Sequence, residues 1–137
     1  MFFVEGVPVS QGSMKHIGNG RIIHAKSKEL KEWRDQIGWT AKAARVEKLE
    51  GAISLTLVFT LPKPKSVKRD EPSVKPDLDK LIRSCLDALT GIAYDDDGQV
   101  VEIFTRKMYG SEAGLAIEVG QFQGQDLEQW LRVRRSR

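Results

Sequence analysis

Polar and apolar residues follow two clear periods along this chain. Ile53, Leu55, Leu57, Phe59 and Leu61 alternate with positions that include Ser54, Thr56 and Thr60, the pattern of a half-buried strand. Leu30, Trp33, Ile37, Ala41 and Ala44 recur at helical spacing, predicting a helix from Ser27, a suitable N-cap, to about Leu49. Leu78, Leu81, Ile82, Cys85 and Leu89 form one face of a second helix, from about Asp77 to Thr90, with Gly91 just beyond its end.

Residues 2–9 read as a first strand that ends at Pro8, which has no N–H to donate. The following loop carries a Gly18-Asn19-Gly20 turn and leads to a short strand at 21–25. Residues 99–109 and 113–119 read as an antiparallel pair joined by the turn 110–112, residues 125–135 as a terminal helix, and 131–137 as a basic tail. The alternation lacks a strict βαβ rhythm and shows no repeat. The expected fold is therefore α+β, a single domain over residues 1–137 with a small mixed or antiparallel sheet packed with two main helices.

Residues 62–76 interrupt these patterns. They hold four of the five prolines and five basic residues, Lys63, Lys65, Lys68, Arg69 and Lys75, which predicts an extended, solvated loop inside the domain. No apolar run approaches the ~18 residues of a membrane span. A single cysteine and no leader-like start set the expectation of a reducing cytoplasm.

The net charge of +3 is mild, but its distribution is informative. Asp77, Asp79, Asp95, Asp96 and Asp97 fall within 21 residues, and without them 22 basic face 14 acidic residues. A basic body suits a polyanion, whereas crowded carboxylates repel one unless a cation sits among them. Asp77 also reads as an N-cap, and Asp79 as half of an i,i+4 ion pair with Arg83. The two acidic groups flank one helix, about 20 Å long at 1.5 Å per residue, and cannot meet within it. Either the chain folds back along the helix or a second subunit supplies the partner. If they converge, oxygen ligands without His or Cys suit Mg²⁺ or Mn²⁺.

Three runs, Asp77-Leu-Asp-Lys-Leu, Asp87-Ala-Leu-Thr-Gly and Asp96-Asp97-Gly-Gln-Val, resemble the RusA family of Holliday-junction resolvases. The specific likeness spans residues 75–107; the N-terminal half, with Arg21 and Lys26, agrees more loosely. The resemblance implies that Asp77, Asp79 and Asp97 are catalytic ligands of Mg²⁺ or Mn²⁺, with Asp96 at the adjacent acidic position. The family's catalytic Lys falls on Arg83, which keeps the charge but not the ability to lose a proton, and its usual Asn on Lys80. It further implies a small α+β homodimer with C2 symmetry that cuts opposing strands of a four-way DNA junction, leaving 5′-phosphate ends. No membrane and no small-molecule cofactor are implied, and the setting is the cytoplasm of a bacterial or phage-infected cell, at the nucleoid.

DNA contacts are expected from Lys63, Lys65, Lys68, Arg69, Lys75, Lys80, Lys15 and Arg21. Trp33 and Trp39 read as core or interface residues, Trp130 as a mark of a partner surface, His16 and His24 as surface residues, and Cys85 as a small core hydrophobe. Asp87 reads as a stay for the helix end. Two rival readings are a non-catalytic branched-DNA-binding dimer and a Ca²⁺-stabilised interaction domain.

Overall fold

The computed structural model describes residues 1–12, 14–17, 21–24 and 27–135, with 14–17 and 21–24 entering by backbone alone. In chain order the elements are β1 (Phe2–Glu5), β2 (Met14–Ile17), β3 (Arg21–His24), α1 (Ser27–Ala43), β4 (Ile53–Leu61), α2 (Leu78–Leu89), β5 (Val100–Tyr109), β6 (Gly114–Gln121) and α3 (Leu127–Arg135). A four-stranded sheet runs β1-β6-β4-β5, and β2 and β3 form a separate antiparallel pair. The fold is α+β with a mixed sheet. Among the described residues no helix is long and apolar enough to cross a membrane.

β4 is the central strand, and every second residue from Ile53 to Leu61 is buried. Ile53, Leu55, Leu57 and Phe59 pack in one core with Trp33, Ile37 and Ala41 of α1 and Leu81, Cys85 and Leu89 of α2. Burying one such aliphatic side chain stabilises by about 1.5–3 kcal/mol, so this layer anchors everything else. The opposite face is covered in part by α3. Trp130 Nε1 donates to Glu102 Oε2 at 3.0 Å, and the Arg134 guanidinium lies 4.1 Å from the Phe104 ring centroid.

The pairing of the last strands corrects the expected hairpin. β5 and β6 do not pair with each other; β4 lies between them, parallel to β5 and antiparallel to β6. α2 is the crossover that returns the chain in parallel, as a β4–α2–β5 unit requires. The connection 110–113 then passes over the end of β4. There Gly110 N–H bonds to Leu61 O at 3.1 Å, and a Cβ on Gly110 would stand 2.6 Å from Thr60 Cγ2.

Other boundaries shift for local reasons. α1 stops at Ala43 rather than near Leu49, because Arg45 takes a left-handed φ of 57° and closes a Schellman motif. Arg45 N–H bonds to Lys42 O and Val46 N–H to Ala41 O. Val46 and Leu49 then turn back onto the core, and Ala44 is exposed. β1 ends at Glu5, earlier than expected, before Gly6 with φ 126°. β2 occupies part of the segment expected as loop; the expected turn at 18–20 and Lys26 lie outside the described residues. α3 falls within the expected terminal helix 125–135, and residues 131–135 of the expected basic tail make up its second half. Trp33 is core, but Trp39 is 65% exposed and not part of it.

A candidate active site divided between the ends of one helix

Asp77 precedes the first residue of α2 with φ −70° and ψ 137°, the geometry of an N-cap, yet its side chain makes no capping hydrogen bond. A capping carboxylate stabilises a helix by about 1 kcal/mol, so this one forgoes the usual partner. It stands 3.7 Å from Lys80 Nζ and is about half exposed. Asp79, in the first turn, is exposed, and among the described residues it forms no ion pair, so the expected bridge to Arg83 is absent. Gln11 N–H bonds to Lys80 O and Ser84 Oγ to Val9 O, so residues 9–11 brace the other side of the helix.

Lys107 fixes the approach to Asp77. From β5 its Nζ donates to the carbonyl oxygens of Val74 and Pro76 at 2.7 and 2.8 Å. Arg106 holds Glu71 at 2.9 Å. The proline-rich segment is thus tied along β5 rather than freely solvated. Lys63 lies 5.9 Å from the Tyr109 ring centroid, and with Asp70 and Ser111 these two line an open depression at the same end of the sheet. Lys65, Lys68, Arg69 and Lys75 are exposed. Lys107 therefore sits where the chain enters α2, with Lys63 near the end of the same strand. Lys107 has no local sequence signal; its role comes from two carbonyl groups some thirty positions away in the chain.

The second acidic group is built differently. Asp96 caps a single 3₁₀ turn, 97–99, and its Oδ1 accepts from Gly98 N–H at 2.8 Å. Gln99 Oε1 accepts from the N–H groups of Asp95 and Asp96, both at 3.0 Å. Its Nε2 donates to Leu49 O and Gly51 O at 3.1 and 3.0 Å, pinning the loop to the start of β4. Asp95 pairs with Lys48 at 2.9 Å. Asp97 is exposed, and among the described residues its carboxylate has no hydrogen bond or ion pair. Asp96 and Gln99 form a capping box, a pattern local in the sequence, whereas the bonds from Gln99 to Leu49 O and Gly51 O have no local signal.

These groups do not meet in one chain. Val100 starts β5 beside Ile53, while Lys107, beside Phe59, touches the segment entering α2. Seven strand residues separate those points, about 23 Å at 3.3 Å each. Asp77 and Asp79 stand at one end of α2, with Asp97 at the other. Among the described residues no group of three or more His, Cys, Asp and Glu is arranged to hold a metal ion. In donor type Asp77 and Asp79 suit a hard cation, but the full three-carboxylate set does not fit one within a single chain.

Asp87 pairs with Arg34 of α1 at 3.5 Å. Cys85 is buried, and desolvation raises its thiol pKa. Tyr94 is buried too and donates to Leu86 O at 2.9 Å; desolvation raises its pKa first, then the neighbouring Cys85 and Asp97 charges. Lys15 lies opposite Ile23 in the β2–β3 pair, and Arg21 opposite Ile17; their side chains, like those of His16 and His24, lie outside the described residues.

The family model for endodeoxyribonuclease RusA matches residues 5–120. An uncharacterized protein of Bacillus subtilis (strain 168), YqaN, is 29% identical over 132 residues, covering 86% of this chain and 93% of that protein.

Proposed function

Since the chain belongs to the RusA endodeoxyribonuclease family of Holliday-junction resolvases, we propose that it is a metal-dependent, structure-selective nuclease acting as a C2 homodimer. It resolves four-way DNA junctions by paired nicking of opposing strands in recombination and repair, working in the cytoplasm and leaving 5′-phosphate ends. The observation that carries this reading is the pair Asp77 and Asp79. One occupies a cap position without capping, and the other is exposed without an ion pair among the described residues. Apart from the 3.7 Å contact of Asp77 with Lys80, neither carboxylate takes up the local bonding that would stabilise the helix, which leaves both available for another task.

In this proposal Asp77 and Asp79 of one protomer join Asp97, with Asp96 beside it, of the second. The separation along α2 favours this over a site within one chain. Oxygen donors alone make Mg²⁺ or Mn²⁺ the suitable ions. Lys80 and Arg83 offset negative charge near the phosphate; Arg83, always protonated, acts as a charge and not as a proton carrier. Lys63, Lys65, Lys68, Arg69 and Lys75 bind backbone phosphates at the same end, and Lys15 and Arg21 extend the contact. Two-fold symmetry gives each of two opposed strands its own site.

The test is cleavage of a labelled four-way junction, with a matched linear duplex, in Mg²⁺, Mn²⁺ and EDTA. The expected result is paired nicks near the crossover that require metal and spare the duplex. Junction binding indifferent to divalent ions, with no product, would identify a non-catalytic branched-DNA-binding dimer instead.

A further inference from the structure

β5 ends in an aromatic residue that the proposed site does not use. Tyr109 follows Lys107 by two positions, so the two share the face of β5 on which Lys107 holds Pro76 O, about 7 Å apart along the strand. Tyr109 is half-buried, opposite Leu61 at the end of β4. With Lys63, Asp70, Gly110 and Ser111 it lines an open depression of about 440 Å³. That falls inside the roughly 300–1,000 Å³ of small-ligand sites and is room enough for one nucleotide.

The lining is mixed in a way that selects among ligands. Lys63 Nζ stands 5.9 Å from the Tyr109 ring centroid, the outer limit of a cation–π contact, so its flexible stem is not fixed on the ring. Asp70 shares the depression, and both charged residues are exposed. Yet among the described residues neither forms an ion pair, with the other or elsewhere. A bare phosphate would meet one cation and one carboxylate and gain little. An apolar ligand would find a single ring. A nucleotide uses every part: its base stacks on the ring, its phosphate meets the ammonium, and the edge of its base offers N–H donors to the carboxylate.

We infer that this depression takes one unstacked nucleotide of a junction strand, with the base on Tyr109, the phosphate on Lys63 and the base edge against Asp70. The inference rests on the junction-nuclease reading and gives its DNA surface a base-reading element beside the phosphate-binding lysines. Bases in the duplex arms are paired and stacked, and extruding one costs least where pairing is already broken. A stacking site here therefore favours DNA with an unpaired nucleotide at the crossover. Asp70 makes the site selective, because a carboxylate only accepts hydrogen bonds. Guanine offers it two adjacent N–H donors on the edge freed by unpairing, whereas thymine offers one N–H between two carbonyl oxygens that repel the carboxylate. The preference is for guanine over thymine at the unpaired position.

The test is binding of the full chain, in EDTA so that nothing is cut, to three synthetic junctions: fully paired, with one unpaired guanine at the crossover, and with one unpaired thymine. The wild type binds the unpaired-guanine junction about fivefold or more tighter than the other two. Tyr109→Leu keeps apolar bulk without a ring face; it loses about tenfold on that junction and little on the paired one, while Tyr109→Phe stays within about twofold of wild type. Asp70→Ala binds the guanine and thymine junctions equally. An equal loss on all three junctions in Tyr109→Leu would make Tyr109 a structural residue and overturn the site. Uniform tightening by Asp70→Ala, with the guanine-to-thymine ratio unchanged, would overturn the base reading. The nuclease reading is judged apart, by cutting in Mg²⁺. A protein that cuts junctions but shows no preference for an unpaired nucleotide defeats the subsite and leaves the nuclease, whereas a Tyr109-dependent preference in a protein that cuts nothing does the reverse.

Discussion

Lys107 donates to the carbonyl oxygen of Pro76 at 2.8 Å, joining the edge strand β5 to the residue before Asp77. The same ammonium group also holds Val74 O, so one side chain sets the path of the chain into α2. Lys107→Met should lower stability by about 1–2 kcal/mol, read from the urea midpoint, because two charge-assisted bonds disappear at a partly solvated site. Junction cleavage should fall at least tenfold, and Lys107→Arg should recover most of it. Unchanged cleavage by the Met variant would show that Asp77 is positioned without this brace.

Among the described residues, buried Cys85 and Tyr94 give a pH dependence of definite sign. Cys85 and Tyr94 are neutral when protonated, and burial raises both above their ordinary values of 9.0 and 10.0. The folded protein keeps these protons at pH values where the unfolded chain releases them. The stability they contribute is complete below about pH 9 and declines as pH rises through and beyond 10. Urea midpoints should be insensitive to these groups between about pH 6 and 8 and then fall. Tyr94→Phe should cost about 1 kcal/mol at neutral pH, through removal of the bond to Leu86 O, and show a shallower alkaline decline. An equally steep decline would remove Tyr94 from the account.

β4 and α2 were legible in the sequence because each carries its own period: alternation through 53–61, and a Leu-Leu-Ile-Cys-Leu face through 78–89. The strand order was not. A short connection at 110–113 between two strand-like runs reads as a hairpin, and nothing local reveals that β4 passes between them. The carboxylates were legible by type, and the length of α2 already set their separation. Lys107 and the bonds from Gln99 to Leu49 O and Gly51 O were not, since these act on backbone carbonyls that only the fold brings near. The cap at Asp77 was expected on position alone, and the structure shows the position occupied and the bond unmade.

The basic end of the sheet makes a prediction about salt. If Lys65 and Lys68 bind phosphates, the double substitution to Gln should weaken junction binding. It should also make the slope of log affinity against log salt shallower by about 2, near 0.9 for each phosphate no longer neutralised. Turnover at saturating junction should stay close to wild type, because neither lysine is among the proposed metal ligands or the charges beside them. An unaltered slope would return the loop to the role of a solvated connector.

The division of the acidic residues leads to the sharpest test of the proposed site. Asp77→Asn and Asp97→Asn should each abolish cutting while leaving junction affinity within about tenfold, since each removes a repulsive charge and leaves the phosphate-binding lysines in place. Co-expression with two different tags gives hybrids in which one site carries both substitutions and the other carries neither. If the site spans two subunits, a purified hybrid nicks the junction on one strand only, and a randomly assorted mixture recovers about a quarter of the wild-type sites. If Asp77 and Asp97 belonged to one chain's site, every site in every hybrid would be defective and no activity would return. Single-strand nicking by the hybrid, with neither parent active, is the expected outcome on a strand-resolved gel.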